Sequence, residues 1–168
     1  MFNSLIWDFN WPRGGMVDTK DLKSLPIWEC RFKSGRGYQI KIFIMFSFIT
    51  LGTNQLHKSK QFYDELLKSI NIFNVEEEDG YVGYSKKDSL KKVEFYLMKP
   101  HNKKEATFGN GTMITFTIGS KEGVDNFYNL ALKLGARDEG LPGPRHEEHY
   151  YAYFRDLDGN KICAFCSD

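Results

Sequence analysis

Phe62–Lys68 reads F-Y-D-E-L-L-K, and Phe127–Lys133 reads F-Y-N-L-A-L-K. Before each phrase lies a strand-like run that ends alike, Ile49-Thr50-Leu51-Gly52 and Phe116-Thr117-Ile118-Gly119. A strand–helix order repeated at this spacing indicates two copies of one supersecondary unit. Both phrases sit in amphipathic helices. In the second, Val124, Phe127, Tyr128, Ala131 and Leu132 form one stripe at helical spacing. Ser120 is placed as its N-cap and Gly135 as its left-handed stop. In the first, Phe62, Tyr63, Leu66, Leu67 and Ile70 form the same stripe, so these aromatics read as core.

Three strand candidates follow each helix. They are Phe73–Glu76, Tyr81–Ser85 and Val93–Met98 in the first copy, and Ala136–Glu139, His149–Phe154 and Lys161–Cys166 in the second. Beta-branched and aromatic residues dominate them, with Gly- or Asp-containing breaks between. Each copy is strand, helix, strand, strand, strand: module one over 45–100, module two over 109–168.

Two such units resemble the vicinal-oxygen-chelate superfamily of glyoxalase I, bleomycin-resistance proteins and extradiol dioxygenases. Besides the doubled helix, the likeness rests on Gly109–Phe116 (G-N-G-T-M-I-T-F), Gly140–Arg145 (G-L-P-G-P-R) and Tyr150–Ile162 (Y-Y-A-Y-F-R-D-L-D-G-N-K-I). It covers Phe46–Cys166. It implies an α+β fold of two βαβββ modules. They form a cupped, half-open barrel of mixed β-sheet, with helices on the convex side and ligand inside. Many relatives pair their modules across subunits, so a homodimer and a cup closed within one chain both stay open.

The same likeness makes the acidic run at Asp156–Asn160 the turn between the last two strands. Asp158-Gly159-Asn160 supplies residues that tolerate a tight hairpin, and the further oxygen ligands of a calcium loop are missing. Cys163 and Cys166 follow on a strand, three residues apart, so they face opposite sides. A dithiol site at a helix N-terminus is not what this spacing gives. One cysteine should face the cup and the other the helix layer.

Metal-dependent relatives place four His/Glu ligands on the cup floor. Position by position, the resemblance puts Phe48, Glu94, Met113 and Cys163 there. Phe48 has no donor and Met113 is a soft thioether. One thiolate and one carboxylate do not close a site for the usual divalent metal. No metal or other cofactor is therefore expected. A divalent metal belongs to the alternative, a glyoxalase I-like lyase or isomerase, where it acts as Lewis acid beside a proton-transfer carboxylate; without it, Glu94 alone could still serve as the catalytic group that moves a proton, if the cup is dry enough to raise its pKa.

Strand alternation predicts the rest of the cup. If Ile49 and Leu51 pack under the helix, Phe48 and Thr50 look inward; if Ile114, Phe116 and Ile118 pack outward, Met113, Thr115 and Thr117 look inward. Tyr96 and Met98 then accompany Glu94, and Tyr151 and Tyr153 accompany Cys163. Such an aromatic and thioether surface suits a small, partly apolar ligand, though the same side chains would also serve to fill the barrel. Gly140–His149 reads as a Pro/Gly loop at the mouth, where Arg145 could clamp a carboxylate or phosphate. His146 and His149 are spaced H-x-x-H rather than the helical i, i+4 of H-E-x-x-H, and read as a solvated mouth; His57 and His101 read as surface or capping residues.

Composition bounds the partners. Twenty-three Lys+Arg against 22 Asp+Glu give a net charge of +1, which offers no electrostatic case for nucleic acid; the lysines from Lys86 to Lys92 read as a charged loop. The longest apolar run, 40–51, contains Lys41 and falls short of the ~20 residues that span a bilayer. Three cysteines, Cys30, Cys163 and Cys166, fit a reducing compartment, and a cytoplasmic protein is expected.

Residues 1–44 show no sustained period and read as an irregular extension. They also resemble the conceptual translation of a leucine transfer-RNA gene. G-G-M-V-D accommodates a D-arm containing GGTAGA, D-L-K an anticodon loop carrying TAA, and C-R-F-K-S-G the T-arm GTTCAAGTCC. A true start at Met45 is therefore expected, with 45–168 as the domain. Two functions stand side by side: metal-independent ligand binding in the bleomycin-resistance manner, and glyoxalase-type catalysis.

Overall fold

The computed structural model describes residues 46–87, 92–145 and 149–167, and the backbone of 31–34 and 37–40. The chain divides into two units, Met1–Phe46 and Ser47–Asp168. In the first, β1 (Arg31–Ser34) pairs antiparallel with β2 (Gly37–Ile40). This pair falls within 1–44, the stretch read from sequence as an irregular extension. Strands of four residues are too short to show a period, although S-G-R-G is turn chemistry.

The second unit runs β3 (Ile49–Gly52), α1 (Leu56–Lys68), β4 (Ile72–Glu78), β5 (Tyr81–Lys86) and β6 (Phe95–Met98). It then repeats as β7 (Ile114–Thr117), α2 (Lys121–Lys133), β8 (Arg137–Arg145), β9 (His149–Arg155) and β10 (Lys161–Cys166). Each module is one four-stranded sheet, in the orders β3-β6-β5-β4 and β7-β10-β9-β8. First and last strands pair parallel, the others antiparallel. The result is the α+β architecture expected: two unclosed mixed sheets cupped into a half-open barrel, with helices on the convex side.

The helix ends have local causes. The Ser120 hydroxyl accepts from Gly123 N at 3.0 Å, satisfying one orphan donor of α2. Gly135 (φ +104°) ends α2 in the left-handed region, and Asn71 (φ +59°) does so after α1. The α1 stripe of Phe62, Tyr63, Leu66 and Leu67 is buried, as is the α2 stripe of Val124, Phe127, Tyr128 and Ala131. Both belong to one core, with Val82, Tyr84 and Leu97 from one sheet and Ala152, Phe154 and Ile162 from the other. Phe95 and Phe116 join the modules inside it, ring centroids 5.8 Å apart. Each fully buried Leu or Phe here contributes roughly 1.5–3 kcal/mol.

One element departs from expectation. Gly140–Arg145, read as loop, is the second half of β8. Its register with β9 slips between Asp138 and Gly140 and again between Gly140 and Gly143. Pro142 and Pro144 lack N–H groups, which an edge strand tolerates and an inner strand does not. The bulges and the edge position explain how so proline-rich a segment still pairs. His146, Glu147, Glu148, Lys91, Cys30 and Met45 lie outside the described residues.

Candidate functional site

Alternation along paired strands sets the faces. In module one, Leu51, Val82, Tyr84, Phe95 and Leu97 point into the core. Their neighbours Thr50, Tyr81, Gly83, Tyr96 and Met98 therefore share the opposite, concave face, with Thr50 beside Tyr96 and Gly83 on its other side. A side chain at Gly83 would meet Val93 at 3.0 Å and Tyr96 Cε1 at 3.1 Å. Its absence lets the Tyr96 ring lie across the neighbouring strand. Past the bulge between Asn74 and Glu76, β4 places Glu76 opposite Gly83. The Tyr81 hydroxyl donates to Glu76 Oε1 at 2.7 Å and the Tyr96 hydroxyl to Oε2 at 3.4 Å. The hydrogen bond to Glu76 pushes the Tyr81 phenol up to about 12. Partial burial, then the same carboxylate, raises Tyr96. Both phenols stay neutral donors at physiological pH.

In module two, Ile114, Ile162, Ala164, Ala152 and Phe154 pack inward. Thr115 and Thr117, Cys163 and Phe165, and Tyr151 and Tyr153 share the concave face through the registers Thr115–Cys163–Tyr153 and Thr117–Phe165–Tyr151. Tyr153 pairs with Gly140, where a Cβ would come within 2.9 Å of its ring. Each concave face thus seats a tyrosine over a glycine. Tyr151 stacks on Tyr153 at 6.1 Å with an 8° interplanar angle. Arg145 and Lys161 both approach the Tyr153 ring, each 5.3 Å from its centroid. Arg155 forms a two-point ion pair with Glu139, and its guanidinium holds the Glu139 carboxyl below the usual range.

The residues singled out from sequence fall on these two faces. Thr50, Tyr96 and Met98 lie together in module one; Thr115, Tyr151, Tyr153 and Cys163 lie together in module two. Phe48 precedes β3, is 56 % exposed, and sets its ring at 87° to Tyr96 at 5.3 Å. Glu94 precedes β6, held by backbone bonds from its N–H to Tyr84 O and from Ile49 N to its carbonyl. Met113 is 44 % exposed, just before β7. Arg145 turns back on its own chain, donating to the carbonyls of Gly143, Tyr151 and Leu141. The guanidinium placed as an anion clamp thus spends three donors on its own strands. The two cysteines divide as expected: Cys163 on the concave face, Cys166 in the core. Both are buried, and neither is in a disulfide.

Sequence reasoning missed Glu76, Lys161 and the two seating glycines. It also missed what Asp156 and Asp158 do. Asp156 is buried and accepts from Tyr63, Asn160 and the Asp158 and Asn160 amides. Asp158 accepts from Asn54 N and Ser59. Only the D-G-N turn itself was legible, with Gly159 at φ +87°.

The donors among the described residues do not make up a set for the usual divalent metal. Among the described residues no group of three His, Cys, Asp or Glu side chains could hold an ion. Of the four inherited positions, Phe48 offers a ring and Met113 an exposed thioether. Burial pushes the Cys163 thiol up, against a hydrogen bond with Thr115 and the charges of Lys161 and Arg145. A thiol so placed is a poor thiolate ligand.

Comparison with known proteins agrees with this architecture. The model of the Glyoxalase/Bleomycin resistance protein/Dioxygenase superfamily matches residues 46–164. A glyoxalase/bleomycin resistance protein from Albidiferax ferrireducens T118 is 35% identical, TM-score 0.67, over 74% of this chain and 100% of that one. Two more distant structures share the fold. The hypothetical protein SA1046 from S. aureus is 22% identical, TM-score 0.56, over 74% of this chain and 94% of that one. A glyoxalase-related enzyme from Fulvimarina pelagi is 15% identical, TM-score 0.61, over 74% and 89%. No curated protein matches. With the family model spanning both modules, the chain belongs to the Glyoxalase/Bleomycin resistance protein/Dioxygenase superfamily.

Proposed function

We propose that the protein binds a small, partly apolar molecule on the concave side of its sheets without the usual metal. The observation that carries this is the seating of two tyrosine rings over two glycines, Tyr96 over Gly83 and Tyr153 over Gly140. Side-chain volume is withheld where a ring needs room, which supports a surface shaped for contact rather than filled as core. Thr50, Met98 and Thr115 add hydroxyl and thioether surface beside the rings, with the Cys163 thiol buried beneath them; Phe48 and Met113 flank them. The donor set described above supports metal independence. Cys163 and Cys166, both buried and neither in a disulfide, support a reducing, cytoplasmic setting. A homodimer, in which module one of one copy faces module two of another, would enclose the ligand.

The test pairs two measurements on purified protein: metal content, and turnover of the hemithioacetal of glutathione. The reading expects substoichiometric metal and no turnover. Stoichiometric metal with turnover would assign glyoxalase-type catalysis instead, with Glu94 as the base to substitute first.

A further inference from the structure

The two concave faces differ in one respect. On module two the ring surface of Tyr153 is already occupied by the protein's own cations, Arg145 and Lys161. On module one, three rings stand nearly perpendicular to their neighbours. Phe48 meets Tyr96 at 87° and 5.3 Å, and Tyr81 meets Tyr96 at 75° and 5.7 Å. Among the described residues no lysine or arginine lies over any of the three. The Glu76 carboxylate sits among them, tied to both tyrosine hydroxyls. Those bonds fix the two phenols, and Gly83 fixes the height of Tyr96. Glu78 lies opposite Tyr81 on the same face, and alternation from Tyr96 puts Glu94 there too. Lys60 is committed on the helix side to Asp64 and Glu77.

We propose that Phe48, Tyr81, Tyr96 and Glu76 form a seat for an alkylated ammonium group of the bound molecule. The chemistry is that of an aromatic cage. Ring faces carry negative quadrupole potential and attract a weakly hydrated cation. A carboxylate at the rim adds Coulomb attraction and discriminates against neutral groups of the same shape. The inference rests on the small-molecule reading above and narrows it to a ligand with a cationic end.

The test uses the full chain with ring-labelled tyrosine, read by NMR. Choline is the probe, and 3,3-dimethylbutan-1-ol is its neutral carbon isostere. Choline is expected to shift the Tyr81 and Tyr96 signals saturably, while the isostere leaves them in place at equal concentration. Glu76→Gln should weaken choline binding about tenfold, with the buried Tyr63 and Tyr84 signals unmoved. Phe48→Ala, at an exposed position, should weaken it without loss of fold. Equal binding of choline and the isostere would overturn the proposal. So would choline shifts confined to Tyr151 and Tyr153, or Tyr81 and Tyr96 shifts that follow protein concentration and mark a second copy in the seat. Phenol separates the two readings. If phenol shifts Tyr151 and Tyr153 while choline leaves Tyr81 and Tyr96 unmoved, the cation seat fails and small-molecule binding stands. If neither probe binds, both fail.

Discussion

The Tyr63 hydroxyl donates to Asp156 Oδ2 at 2.7 Å, across 93 residues of sequence. Tyr63 belongs to helix α1 of module one; Asp156 begins the last hairpin turn of module two. Asp158 extends the link, accepting from Asn54 N at 2.8 Å and the Ser59 hydroxyl at 2.8 Å, while Asn160 Nδ2 reaches Gly52 O at 3.3 Å. The N-cap residue of α1, Gln55, makes no side-chain cap bond. The Asp158 carboxylate of the other module is instead held beside this helix start by the backbone just before it and by the Ser59 hydroxyl, a position that suits the helix dipole.

Removing the hydroxyl with Tyr63→Phe leaves Asp156 buried with one donor fewer. Hydrogen bonds to buried charged groups typically carry about 1.5–3 kcal/mol. Urea unfolding should show a loss of that order with an unchanged m-value, because the ring itself stays in place.

The two carboxylates Asp156 and Glu139 should give stability opposite pH slopes. Burial raises Asp156, its hydrogen bonds only partly opposing. Between the unfolded value of about 3.9 and its raised folded value, the native state holds a proton the unfolded chain has released. Its contribution therefore falls as pH rises through that window. Arg155 lowers Glu139, whose contribution is present above the unfolded value and lost as pH falls through the folded one. Unfolding free energy against pH, wild type minus Asp156→Asn and wild type minus Glu139→Gln, should show the two slopes with opposite sign.

Cys163 is fully buried and its thiol is raised by that burial. Cys166 is also buried. Both should resist an aromatic disulfide reagent in native buffer and react at once in denaturant. Fast native reaction at Cys163 would show that the concave face opens.

Gly140→Ala places a methyl within 2.9 Å of the Tyr153 ring. The ring must move off its seat, and overpacking of this kind costs about 1–3 kcal/mol. Tyr151, stacked on Tyr153, should move with it, while Tyr81 and Tyr96 in the other module keep their signals.

A start at Met45, as the transfer-RNA likeness of the leading segment implies, predicts that protein purified from its native host lacks residues 1–44. Intact-mass measurement decides it. A mass that includes them would show the segment is made and kept.

Much of this was open to sequence reasoning because period is a strong signal. The doubled F-Y stripe gave both helices, and alternation around Ile114 and Leu51 gave the faces of Thr115, Cys163, Thr50 and Tyr96. What stayed hidden depended on register. Glu76–Glu78 is three like residues in a row, and a bulge precedes it. Alternation then has no contrast to work on, so the face of Glu76 could not be read. Gly140–Arg145 carries loop chemistry, and only its position at a sheet edge lets it pair as strand. Asp156 was explained locally by its turn, and nothing in that turn signals a partner in a distant helix.

The prolines of β8 have a consequence for assembly. A rim strand ordinarily offers a row of amide hydrogens to any passing chain. Pro142 and Pro144 strike out two of them, and the slipped register breaks the line of those that remain. Adding a foreign strand there would leave its carbonyls unanswered, so this border of the molecule guards itself against polymerising edge to edge.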